Sequence, residues 1–154
     1  GIITTVIRGI PAGLGNPVFH RFESQLAYAM LSINATKGFE MGDGFASTLR
    51  FGSENNDEFV GMEQGKAMTS TNHSGGVLGG ISNGMPVWFR VAFKPTSTIS
   101  VDQSTINLHG EPTTLKAKGR HDPCVLPRAV PIVDAMTALT VLDFWLWQRA
   151  YQSI

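Results

Sequence analysis

The chain has 154 residues, 42% hydrophobic and 16% charged, which is the apolar content of a globular domain long enough to bury a core. Twelve acidic against twelve basic side chains leave no net field to draw it to nucleic acid or to an anionic membrane, so any anion site must be local. The single Cys124 excludes an internal disulfide and nothing at the N-terminus reads as a secretory signal, so a reducing, cytoplasmic setting without nucleic-acid or membrane partners is expected.

The first residues already form an apolar, β-branched run, which suggests a segment of a longer protein. Residues 2–8 read as a strand that enters a turn at Pro11, Gly13 and Gly15. Asn16 can cap a helix and Pro17 suits its first position. Phe19, Phe22, Leu26, Met30 and Ile33 then recur at three and four residues, predicting an amphipathic helix with one buried face. Residues 38–50 place Phe39, Met41, Phe45 and Leu49 among glycines and read as strand and turn; residues 53–72 are polar and read as exposed. Residues 85–93, aromatic and branched, predict a buried strand between Gly84 and Pro95, with a weaker strand near 113–117.

A second helix is expected from Pro131 to about Tyr151, with Asp134 in its first turn and Arg149 in its last, each matching the helix dipole. Its most apolar stretch, 138–147, is interrupted by Asp143 and is too short to span a bilayer. Apolar residues extend over more than one face, and Trp145 and Trp147 flank the same surface. Such a helix needs cover from a second domain or subunit, unless a single small domain wraps it. Strand, helix, several strands and helix, with short turns between the strands, give an α+β class: an antiparallel sheet with two main helices in one domain, 1–154.

Three segments have the composition of an anion site. Lys116, Lys118, Arg120, His121 and Arg128 surround Asp122, and Gly119 and Pro123 would shape the turn. Lys94 to Thr98 puts an ammonium and hydroxyls at the end of the best strand. Residues 72–84 hold five glycines in thirteen positions, which suits either a ligand loop or a hairpin-rich turn. Cys124 reads as a buried structural thiol. His73, His109 and His121 lack the carboxylate and histidine spacing of a metal-dependent hydrolase.

Gly119-Arg120-His121-Asp122-Pro123-Cys124, Arg128-Ala129-Val130-Pro131 and Ala135-Met136 together resemble the C-terminal signature of the chorismate synthase family. Asn34-Ala35 with Lys37-Gly38 and Gly42-Asp43-Gly44-Phe45, the 72–84 loop, Lys94-Pro95-Thr96-Ser97 and Pro11-Ala12-Gly13-Leu14-Gly15 resemble other family blocks in the right order. Asp134 stands where the family more often has Glu.

The resemblance implies a β-α-β sandwich of two related halves, assembled as a homotetramer, of which this chain would be the C-terminal portion and about one half. It implies that Asn34, Ala35, Gly79, Lys94, Pro95, Thr96, Ser97, Thr98 and Arg120 line a flavin mononucleotide site. Asp122 would be the acid/base aspartate, with Arg120 close to both flavin and substrate. The implied activity is a lyase of the shikimate pathway, in aromatic amino acid biosynthesis. It takes 5-enolpyruvylshikimate 3-phosphate to chorismate plus phosphate by 1,4-anti elimination with reduced FMN, reduced by NADPH in some members. Family blocks carrying the other catalytic groups have no counterpart here, so the isolated chain is expected to be inactive and to need the missing N-terminal half. The competing expectation is a non-catalytic association domain that packs through its last helix.

Overall fold

The computed structural model describes residues 1–63, 65–119 and 122–152. In chain order the elements are β1 (Ile2–Ile7), α1 (Phe22–Leu31), β2 (Thr36–Met41), a 3₁₀ segment (Gly44–Leu49), α2 (Gly52–Asn55), β3 (Phe59–Glu63) and β4 (Lys66–Thr69). Then come β5 (Val77–Leu78), β6 (Ile81–Ser82), β7 (Val87–Phe93), β8 (Gln103–Ile106), β9 (Pro112–Leu115) and α3 (Leu126–Gln152).

The expected buried strand is β7, at the centre of a three-stranded antiparallel sheet ordered β1-β7-β2. Its alternation places Val87, Phe89, Val91 and Phe93 on one buried face, beside Ile3 and Thr5 of β1. Side chains such as Phe89 and Val91, both fully buried, each contribute about 1.5–3 kcal/mol through burial. That face is covered by α1 and α3, joined where Phe22 meets Phe144 edge-on at 5.3 Å. The α+β class, the antiparallel sheet and the two main helices are therefore as the sequence indicates.

Three boundaries differ from the sequence reading. The first helix begins at Phe22, because Asn16 and His20 exchange two backbone hydrogen bonds of 2.8 and 2.9 Å that close residues 16–20 into a turn. Phe19 is consequently 87% exposed and outside the helical face. The polar 53–72 segment contains the β3–β4 hairpin, whose Phe59, Val60 and Met62 stand exposed. The last helix starts at Leu126 and keeps Pro131 inside it, giving 27 residues. By length and composition such a helix is long and apolar enough to cross a membrane, contrary to the reading of 138–147 alone. Here Ala129, Val133, Thr137 and Phe144 form its buried side, and α3 packs on α1 and β1.

Candidate functional site

The site grows from the turn that follows α1. Ser32 and Ile33 close the helix through N–H bonds to Tyr28 and Met30 carbonyls. Thr36 at the start of β2 donates its hydroxyl back to Met30 at 3.0 Å, so the intervening residues must turn tightly. Ala35 does so with φ +70, a left-handed conformation that costs a residue with a Cβ about 1 kcal/mol or more. Its carbonyl accepts the N–H of Lys94 at 2.9 Å, which fixes the 34–35 turn to the exit of β7.

Asp122, just before α3, completes the arrangement. A cavity of about 260 Å³ is lined by Ala35, Lys94, Pro95, Thr96, Ser97, Thr98, Asp122 and Val125. An adjoining cavity of about 490 Å³ shares Ala35, Asp122 and Val125 and adds Asn34, Ile33, Arg128 and Met136. The aspartate stands between a hydroxyl-rich, cationic chamber and an apolar one. Arg128 pairs with its Oδ2 at 2.9 Å, while Lys94 has no carboxylate partner among the described residues.

A family model described as chorismate synthase matches residues 1–146. The chain is 63% identical over 150 residues to the chorismate synthase of Opitutus terrae, covering 97% of this chain and 41% of that protein. It is 57% identical over 150 residues to that of Cytophaga hutchinsonii, again covering 97% of this chain and 42% of that one. A solved structure described as the crystal structure of chorismate synthase superposes with a TM-score of 0.75 at 32% identity, over 96% of this chain and 37% of that one. The chain belongs to the chorismate synthase family. It spans about two-fifths of the length of the curated relatives it matches.

Of the positions singled out by the resemblance to chorismate synthases, Asn34, Ala35, Lys94, Pro95, Thr96, Ser97, Thr98 and Asp122 come together around these two cavities. Arg120, and His121 with it, lie outside the described residues, and Cys124, expected to be buried, is exposed just before α3. Gly79 is not brought to the cavities. It sits in the β5–β6 turn, whose next residue, Gly80, accepts the N–H of Phe22 at 2.8 Å. That is the opposite end of the ten-residue α1 from Ala35, about 15 Å away. Ile33, Val125 and Met136 are not read from the sequence as walls of a site, although Ile33 stands on the apolar helix face and Met136 in the family signature. Arg128, Ile132 and Met136 recur every four residues on α3, and that spacing marks the stripe facing the cavity.

Three of the chorismate synthase segments, 11–15, 42–45 and 72–84, lie away from the cavity and act on the backbone. Ser82, 1% exposed, accepts the Leu14 N–H at 2.9 Å and donates to the Pro11 carbonyl at 2.7 Å, locking residues 11–15 onto the β5–β6 hairpin. A Cβ on Gly42 would fall 2.1 Å from the His73 carbonyl oxygen, so the 42–45 and 72–76 segments can meet only through glycine. The glycine-rich loop is therefore a close-packed turn. Two carboxylates hold it. Burial pushes the Asp57 carboxyl up, but bonds from the Ser74 N–H, the Thr71 hydroxyl and the His73 N–H outweigh this and leave it below the usual range. Asp43 is also lowered, first by its bond to Arg50, against some burial, and then by His73, whose Nδ1 lies 2.6 Å from Oδ2.

Proposed function

We propose that this chain is the C-terminal portion of a chorismate synthase that converts 5-enolpyruvylshikimate 3-phosphate to chorismate and phosphate with reduced FMN. In this reading the chain contributes a flavin-binding wall and the acid/base aspartate. The observation that supports it is the meeting of Ala35, Lys94 to Thr98 and Asp122, from three distant parts of the chain, around one cavity. An association domain would need no such convergence.

The residues present suit the flavin. The Lys94 ammonium and the hydroxyls of Thr96, Ser97 and Thr98 match a phosphate, and Ile33, Ala35, Val125 and Met136 offer apolar surface for a ring system. The two adjoining cavities, about 260 and 490 Å³, together have the size of a small-molecule site. When bound, reduced FMN supplies the electron-rich environment the elimination requires, without net oxidation. The chain's own part is positional and protonic. Lys94 neutralises anionic charge, the 34–35 turn fixes one wall, and Asp122, oriented by Arg128, holds or receives the proton released as phosphate leaves. The whole enzyme is proposed to be a cytoplasmic homotetramer.

The reading is tested by giving 5-enolpyruvylshikimate 3-phosphate and chemically reduced FMN, under anaerobic conditions, to the full-length protein containing this chain and to the chain alone. The full-length protein should form chorismate, and the chain alone should stay at the flavin-only background because the remaining groups of the site are absent. A full-length protein that forms none contradicts the assignment, and turnover by the chain alone contradicts the fragment reading.

A further inference from the structure

The strongest feature outside the flavin cavity is a groove of about 570 Å³ between β1 and α3. Val6, Leu142 and Trp145 line it, exposed by 50%, 49% and 38%, with Arg8 and Asp134 also on its walls. β1 is an edge strand: β7 lies on one side, and among the described residues no strand lies on the other. Its sequence, IITTVI, contains no Lys, Pro or other charge of the kind that protects exposed edges. Thr5 also faces the groove. It is 7% exposed, yet its Oγ1 has no hydrogen-bond partner among the described residues. A buried hydroxyl without a partner costs roughly 1–3 kcal/mol, so a group that satisfies it belongs in the folded protein.

We infer that this groove is the seat of the rest of the same synthase polypeptide, through an apolar element that lies along β1 and α3 and brings a polar group to Thr5 Oγ1. The occupant follows from the lengths. This chain aligns over 97% of its own residues with relatives of which it covers only 41–42%, so in each of them about three-fifths of the chain is tethered to this fold. An apolar groove with charged residues on its walls and an open strand edge is the form of a seat for such an element. A second copy of these 154 residues would not be tethered to the groove. This inference rests on the proposed function only in taking the chain as part of a longer enzyme.

Hydrogen exchange tests it, measured without flavin or substrate on the full-length protein containing this chain and on the chain alone. In the full-length protein, β1 amides not engaged by β7 should exchange at least about tenfold more slowly than in the chain alone. Val6→Glu and Leu142→Glu should lower the melting temperature of the full-length protein and leave that of the chain nearly unchanged. Leu108→Glu, fully exposed in the β8–β9 turn, should alter neither. Thr5→Val separates the possibilities by sign: it should leave the chain alone as stable or more so, and destabilise the full-length protein. Equal β1 exchange in both proteins overturns the inference, as does a Thr5→Val effect of the same sign in both. Protection of β1 in the chain alone that grows with concentration assigns the groove to a second copy and equally overturns it. Because activity is not read, slow β1 exchange in an inactive full-length protein would refute the synthase reaction and leave the groove intact.

Discussion

Replacing Asp57 tests how the glycine-rich loop is held. The carboxylate is buried, 6% exposed, and accepts three bonds: Thr71 Oγ1 at 2.7 Å, the His73 N–H at 2.8 Å and the Ser74 N–H at 2.9 Å. A bond to a charged acceptor is worth about 1.5–3 kcal/mol net. His73 and Ser74 are half-buried, so water can partly replace the acceptor, and the three contributions will not add in full. Asp57→Asn keeps one carbonyl oxygen but turns an N–H₂ toward a donor, so at neutral pH it should cost roughly 2–3 kcal/mol. The pH dependence follows from the direction of the shift. The folded carboxyl lies below its unfolded value near 3.8, so its stabilisation is complete above that value and is lost as pH falls through the folded pKa. Urea unfolding of wild type and Asp57→Asn between pH 7 and pH 2.5 should show a gap that is constant down to about pH 5 and shrinks below it. A gap under about 0.5 kcal/mol at pH 7, or one that persists undiminished at pH 2.5, would refute the reasoning.

Ala35→Gly removes the Cβ from a left-handed residue and adds backbone freedom to the unfolded chain, so it should change stability by less than about 1 kcal/mol, with any net effect stabilising. A thermal melt showing a loss above 2 kcal/mol, on the scale of that strain, would exclude a strained 34–35 turn. Ser82→Ala deprives the buried Leu14 N–H and the Pro11 carbonyl of their shared partner and should cost about 2–3 kcal/mol in denaturant unfolding; a neutral variant would show that the lock is dispensable.

What the sequence made legible follows the physics of each element. β7 was legible because a run of aromatic and branched residues between Gly84 and Pro95 suits a buried strand, and the structure then shows which alternate side chains face the core. The cavity was legible through family blocks alone. Neither composition nor spacing says that Ala35 and Lys94 touch, since their link is a backbone hydrogen bond between residues far apart in the chain. The early start assigned to α1 failed because Asn16 and Pro17 are equally good turn residues, and the pairing of Asn16 with His20 takes the backbone out of helix. The β3–β4 hairpin was hidden because β3 is exposed along its whole length and β4 buries only Thr69, leaving no alternation to read. Asp57 gave no signal at all. A single carboxylate in a polar run becomes distinctive only when two distant backbone N–H groups point at it.

Asp122, at the boundary of the two cavities, is proposed to carry the proton chemistry of this site. Asp122→Asn in the full-length enzyme, with binding of FMN and of 5-enolpyruvylshikimate 3-phosphate titrated separately from anaerobic turnover at saturation, tests it most directly. The side chain keeps its size and can still accept from Arg128, but it cannot act as a base. Near-normal affinity for both ligands with turnover reduced about 10²-fold or more is the predicted result. Near-normal turnover with both ligands saturating would contradict it, and a loss confined to affinity would make Asp122 a positioning residue for the cavity wall.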